Sequence, residues 1–402
     1  MISPLVLSIV ATALIFVIVL LIRSRSLDNK LKNISAQLSN TQTQLKEAHR
    51  LRGELENLMN ERKKFEEKAK KLWQIKESLS KKDINSSSAD PGNELLKAER
   101  EKMEEEKRKL DDKIKKLWQQ SVAIHKEKER INTLKTEIEQ RHQEMLDSVT
   151  YAKRIQEAIL PHQDEITSHL SQSFILFKPR DIVSGDFYWF FHQNKQSFIA
   201  SVDCTGHGVP GAFMSLIGNT MLNEIVKEKK ISDPGLILTE LNKEINIALK
   251  QTNTSQTFGV ESRDGMDIAL LRFDFAKNEL CFAGAKRPLY IIRAASKDQL
   301  EELKSDRFPI GGANFDGGEK NFKTHTLTIN KEDVFYAASD GFADQFNNQG
   351  KKLMTKKFKE ILLTLQEKSM AEQKSYLGNF MEKWKEQMEQ TDDILVIGVK
   401  VP

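Results

Sequence analysis

Cysteine is nearly absent from this chain. Cys204 and Cys281 are the only two among 402 residues, and neither belongs to a zinc-type spacing. A disulfide-stapled scaffold is thereby excluded, and the bulk of the chain is expected in a reducing compartment. Net charge is equally scarce: 62 basic and 58 acidic residues leave only +4. That balance lacks the concentrated basic face of a nucleic-acid binder, so no nucleic-acid partner is expected. Apolar residues, at 39%, are few for one globular body, whereas charged residues reach 30%. The chain is expected to divide into parts of different character.

The first part is the run from Leu5 to Ile22, which carries no charge. Its eighteen residues, if helical, extend roughly 27 Å, enough to cross a hydrocarbon core. Arg23 and Arg25 follow at once. The positive-inside rule then places everything after residue 23 in the cytoplasm. A cleaved signal peptide is the rival, but the basic n-region and small-residue cleavage site it needs are missing. Residues 1–25 are therefore expected to be a single-pass anchor in the cytoplasmic (inner) membrane.

Residues 26–147 are rich in Lys, Glu and Gln. Apolar residues recur at Leu27, Leu31, Ile34, Leu38 and Leu45, and again at Leu110, Ile114, Leu117, Ile124, Ile131, Leu134, Ile138 and Met145. Steps of mostly threes, fours and sevens keep one narrow stripe on a helix, which a second helix must cover. Coiled coils at 26–84 and 94–147 follow, with homodimerisation through them. They are separated by a linker at 85–93, where Pro91-Gly92 stops a helix. Lys71-Leu72-Trp73-Gln74 recurs as Lys116-Leu117-Trp118-Gln119, hinting at a duplicated unit. A passive spacer and a signal-carrying dimer stalk fit this pattern equally.

From Ser148 onward charge runs thin out and glycines gather at turns. Strands are predicted at Phe174–Lys178, Asp186–His192, Ser197–Val202, Asp267–Asp274, Glu279–Phe282, Pro288–Arg293, Val334–Ala338 and Ile394–Val401. Helices are predicted at Gly211–Lys229, Pro234–Lys250, Thr355–Gln366 and Met370–Met388. Short strands with helices in blocks imply an α+β fold of antiparallel sheets with helices packed outside.

Four aspartates sit at the ends of apolar strands: Asp186, Asp203, Asp340 and Asp392, the last followed by Asp393. Taken singly, each fits a turn former or helix cap. Carboxylates converging on one sheet edge repel one another, however, and burial makes that worse. A divalent cation relieves it. Oxygen-only ligands select magnesium or manganese, and two such ions activate water and orient a phosphate for in-line attack. Gly206 and Gly208, in the turn after Asp203, permit conformations that side chains block, so a backbone carbonyl can face a metal there.

The stretch Arg180-Asp181-Ile182-Val183-Ser184-Gly185-Asp186-Phe187-Tyr188-Trp189 resembles the SpoIIE-type (sporulation stage II protein E) bacterial phosphatases. These are a branch of the metal-dependent type 2C protein phosphatase superfamily. Asp203–Met214, Asp264-Gly265-Met266-Asp267, Ala283–Leu289, Phe308–Gly311, Ala338–Gly341 and Asp392-Asp393-Ile394 follow in that family's order. The resemblance implies, for residues 148–402, a sandwich of two antiparallel sheets flanked by helices. It implies two manganese or magnesium ions at one edge. Asp203 would bridge both ions, the Cys204 carbonyl would complete one site, Asp340 and Asp392 would hold the other, and Asp186 would act through water. The reaction implied is direct attack of activated water on phosphoserine or phosphothreonine. The substrate implied is a phosphorylated regulatory protein of bacterial signal transduction, such as an anti-sigma-factor antagonist of a partner-switching pathway. Lys286 stands where the family often has asparagine, and Ser184 where it often has glycine.

Residues 148–161 resemble the family's helix leading into the domain. Either it couples the stalk to metal occupancy, or Ile155, Ile159 and Leu160 merely pack as core. Arg180 and Arg287 are candidates for the substrate phosphate, with a salt-bridge role as the alternative. Cys281 and Arg287 reproduce the Cys-x5-Arg spacing of cysteine-dependent phosphatases. That chemistry needs a phosphate-cradling loop before a helix, and here a strand is predicted instead. His207 reads as structural. The rival from another class is a catalytically inactive, phosphatase-like docking module on a membrane stalk. Retention of all four aspartates counts against it.

Overall fold

The computed structural model describes residues 91–402, apart from 252–263 and 313–319, together with scattered helical residues between 53 and 74. The chain divides into two units, Met1–Glu144 and Met145–Pro402. Among the described residues no helix is long and apolar enough to cross a membrane. The anchor expected at 1–25 lies outside the described residues, as does most of the stripe at 26–84.

Helix α1 spans Pro91–Ile159. It begins inside the expected linker, because proline suits the first helical position, where no N–H is needed. The entry helix expected at 148–161 has no start of its own; it is the end of α1. It stops at Ile159, short of Pro161, as the restriction on the residue before a proline demands. Residues 94–147 are helical, with Ile131, Leu134 and Ile138 only half-buried. Helicity alone does not establish the expected coiled coil.

In the second unit the order is α2 (Gln163–His169), β1 (Ser173–Lys178), β2 (Phe187–Gln193), β3 (Gln196–Cys204), α3 (Gly208–Asn223), α4 (Pro234–Ala248), β4 (Gly265–Asp274), β5 (Glu279–Ala285), β6 (Leu289–Ile292), β7 (Glu301–Leu303), β8 (Ile310–Gly311), β9 (His325–Thr328), β10 (Val334–Ala338), α5 (Gly341–Asp344), α6 (Met354–Thr364), α7 (Met370–Lys385) and β11 (Ile394–Lys400). The helix predicted through Lys229 instead passes into a π turn at Glu224–Glu228, which buries both Ile225 and Val226.

One sheet runs β1-β11-β10-β6-β7 and the other β2-β3-β4-β5-β9, with β8 beside β4. All ladders between these strands are antiparallel. Successive strand residues point to opposite faces, and both faces of each sheet are covered. Phe190, Ile199, Leu271, Phe273, Phe335 and Ile397 fill the space between the sheets. Trp189, Ala200, Val202 and Leu270 face α3 and α4. Tyr336, Ala338, Val396 and Ile394 face α6 and α7. This double coverage explains why the strands read as nearly unbroken apolar runs. The layers are helices, sheet, sheet, helices, as the family resemblance implied.

Antiparallel pairing places the start of β2, the end of β3 and the start of β4 on one edge, with Asp203 directly opposite Asp267. In the facing sheet it places the end of β10 beside the start of β11.

Candidate active site

The aspartates gather at that shared edge. Asp340 follows β10 at the head of α5, and its backbone N–H donates to Asp203 Oδ2 across the sandwich at 3.4 Å. Gly341 has to be glycine: a Cβ would lie 1.9 Å from the Asp393 carbonyl oxygen. The turn after Asp203 is equally tight. Gly206 and Gly208 have φ of 86° and 64°, and a Cβ on Gly185 would meet the Gly206 carbonyl at 2.3 Å and the Cys204 carbonyl at 3.3 Å.

Arg287 stands among the carboxylates. Its Nη2 lies 2.6 Å from Asp340 Oδ2, 2.7 Å from Asp203 Oδ2 and 3.3 Å from Asp267 Oδ2. The salt-bridge alternative for Arg287 is what the geometry displays. Arg180 donates its backbone N–H to Asp393 Oδ1 at 2.7 Å and its Nη1 to the Thr391 carbonyl at 3.1 Å.

Burial and mutual repulsion set the electrostatics. Burial pushes the Asp186 carboxyl well above the usual range; Asp203, Asp393 and Asp392 add to this, and a Ser339 hydrogen bond opposes it. Asp203 rises to about 7, again through burial, with Asp340 and Asp267 reinforcing it against Arg287. Asp267 and Asp392 are raised by burial as well. One guanidinium therefore does not neutralise the cluster.

Asp267 was not singled out from the sequence, although its motif was. Its only sequence signal was a carboxylate at the head of an apolar strand; the pairing with Asp203 is a matter of cross-strand register. Asp393 was read as a neighbour of Asp392, yet it is the more buried of the two. Its Oδ2 accepts from the Gly185 N–H at 2.7 Å and the Asp186 N–H at 3.4 Å, so with Arg180 it clamps the segment leading to Asp186. Gln156, in the last turns of α1, grips the same segment. Its Nε2 donates to the Ser184 carbonyl at 2.7 Å and to Ser215 Oγ at 2.8 Å, and its Oε1 accepts from the Ser184 N–H at 3.0 Å.

Cys281 lies buried inside β5, and a strand rather than a helix follows it. Burial pushes its thiol up, and Arg272 Nη2 sits 2.9 Å from its sulfur. No phosphate-cradling loop surrounds it. His207 Nδ1 pairs with Asp181 Oδ2 at 2.8 Å on the rim of the cluster.

The model of the stage II sporulation protein E (SpoIIE) family matches residues 193–402. The chain belongs to the SpoIIE family. It is a protein serine/threonine phosphatase of the type 2C class. Among solved structures it is similar to the SiaA-PP2C domain of Pseudomonas aeruginosa, at 29% identity and a TM-score of 0.57, covering 65% of this chain and 99% of that one. The phosphatase domain and regulatory fragment of SpoIIE from Bacillus subtilis match at 17% identity and a TM-score of 0.45, covering 57% of this chain and 63% of that one. Comparison with curated proteins gives no match.

SpoIIE-family phosphatases use manganese or magnesium. Among the described residues no three His, Cys, Asp or Glu side chains are arranged to close on a single ion. The donor chemistry nevertheless fits a hard divalent cation. The donors are all oxygen, and Asp186 Oδ2 is buried with no hydrogen-bond partner. An orphaned carboxylate oxygen of that kind is costly unless a cation or water meets it.

Proposed function

We propose that this SpoIIE-family phosphatase removes phosphate from serine or threonine of a phosphorylated regulatory protein in a partner-switching pathway. Asp203, Asp340 and Asp392, with the Cys204 carbonyl, would hold two manganese or magnesium ions, and Asp186 would reach them through water. The observation that supports this reading most is the meeting of Asp203, Asp267 and Asp340 on one nitrogen at 3.3 Å or less.

Bound there, the ions would offset the carboxylate charge and activate water for attack on phosphorus. The protein's own groups do the positioning. Asp203 is held opposite Asp267 by β-sheet register. Asp393 fixes the backbone ahead of Asp186 through three accepted hydrogen bonds. Gln156 ties that backbone to α1, which supports a route by which α1 influences the site. Arg287 and Arg180 would contact the substrate phosphate once the metal ions neutralise the carboxylates.

We further propose an N-terminal membrane anchor with the phosphatase unit in the cytoplasm, and homodimerisation through the heptad-patterned region. The uncharged run at Leu5–Ile22, followed by Arg23 and Arg25, supports the anchor.

The test is hydrolysis by the full chain of phosphoserine, phosphothreonine and phosphotyrosine peptides, with manganese and with chelator. Manganese-dependent release from the first two alone is expected. Folded protein inactive on all three would favour the docking-module alternative.

A further inference from the structure

Between Gly284 and Pro288 the chain makes an unusual turn. The Arg287 N–H donates to the Ala285 carbonyl, two residues back, at 2.7 Å. Lys286, the central residue, has φ of 55°. A three-residue turn with positive φ is rare and strained, and lysine gains nothing from that region, unlike glycine or asparagine. The turn is held nonetheless. The Lys286 N–H donates to the Asp306 carbonyl at 2.8 Å, and a parallel bridge joins Lys286 to Ile268.

This turn sends Arg287 inward to the carboxylates and leaves Lys286 at the rim, with about half of its side chain exposed. Lys286 Nζ lies 3.8 Å from Asp267 Oδ1, close enough for attraction but too far for a hydrogen bond. Its three donors are unspent on that partner. The neighbouring cations differ. Arg287 donates to Asp203 and Asp340, and Lys320 donates to the Pro309 and Gly311 carbonyls. Burial, with the Lys286 ammonium adding to it, holds Lys320 below the usual lysine range. Strain retained beside a reacting centre calls for a functional reason.

The geometry points to Lys286 as a specificity-determining residue that hydrogen-bonds an anionic oxygen of the substrate at the mouth of the site. The inference rests on the phosphatase reading. The anion is either the phosphoryl group or a carboxylate flanking the phosphoserine, and the assay separates these.

Lys286→Asn and Lys286→Arg variants of the full chain are compared with the parent on p-nitrophenyl phosphate, a phosphoserine peptide with neutral flanks and one with acidic flanks. Manganese affinity and melting temperature are measured alongside. Lys286→Asn suits the positive φ better, so its melting temperature should hold or rise while kcat/KM falls at least about tenfold, the worth of one charge-assisted hydrogen bond. Lys286→Arg should restore most of the loss. A fall on all three substrates assigns the phosphoryl oxygen; a fall confined to the acidic peptide assigns the flanking carboxylate. Unchanged kcat/KM on every substrate, or a loss that saturating manganese abolishes, would overturn the inference and leave Lys286 a counter-ion of Asp267. A parent chain inactive on all substrates would instead count against the phosphatase reading.

Discussion

Replacement of Asp393 by alanine tests the clamp that sets up the site. This carboxylate is 2% exposed and accepts from Arg180 N at 2.7 Å, Gly185 N at 2.7 Å and Asp186 N at 3.4 Å. The third contact is long and counts for little. Each of the first two is charge-assisted, and each orphaned N–H costs about 1–3 kcal/mol when its partner is removed. Water entering the vacated space recovers part of that, so the net loss should be about 2–4 kcal/mol. For a unit of this size about 1 kcal/mol moves Tm by roughly 2–4 °C, so Tm should fall by roughly 4–16 °C. Thermal unfolding followed by circular dichroism reads this directly. Manganese affinity should fall too, because the Arg180–Asp186 segment loses its support. A Tm within 2–3 °C or so of the parent would refute the clamp.

Further expectations concern other groups. Cys281→Ser should keep activity within about twofold, since a buried thiol against Arg272 takes no part in the chemistry; a loss beyond about a hundredfold in a folded variant would contradict this. Gln156→Ala removes hydrogen bonds to Ser184 and Ser215 and should lower both manganese affinity and Tm, the latter by roughly 4–8 °C for about 2 kcal/mol; an unaltered manganese titration would sever α1 from the site. The pH dependence follows from Asp203, which burial pushes up to about 7 in the folded state, above the ordinary carboxylate range. A raised carboxyl favours the folded state below its unfolded pKa and loses that contribution as pH climbs through the folded value. In chelator, Tm should therefore fall between pH 4 and pH 7, and manganese should restore it most at the upper end; a Tm rising across that window would contradict the assignment.

Much of the fold was legible because both faces of each sheet are covered. Apolar runs such as Phe198–Val202 and Ile394–Val399 announce themselves in any register. The strands that escaped are the short or polar ones. Glu301–Leu303 has two exposed glutamates, Ile310–Gly311 has only two residues, and His325–Thr328 is never fully buried. Their pairing is dictated by neighbours, not by their own pattern. The π turn at Glu224–Glu228 was hidden for a related reason, as its hydrogen bonds span only one residue more than those of an α-helix. At the site, aspartates at strand ends were visible one at a time. The partnership of Asp203 with Asp267, the clamp by Asp393 and the grip of Gln156 on Ser184 are contacts between distant segments. The inward course of Arg287 depends on the strained turn at Lys286, which nothing in the local composition predicts.

The central claim is that the carboxylate edge holds the metal on which hydrolysis depends. It is tested most directly by calorimetric titration of manganese into the full chain and its Asp203→Asn variant, with phosphoserine-peptide hydrolysis measured on the same samples. The account predicts that the parent binds manganese and hydrolyses the peptide, while the folded variant loses both. Manganese binding and hydrolysis that survive Asp203→Asn undiminished would contradict it.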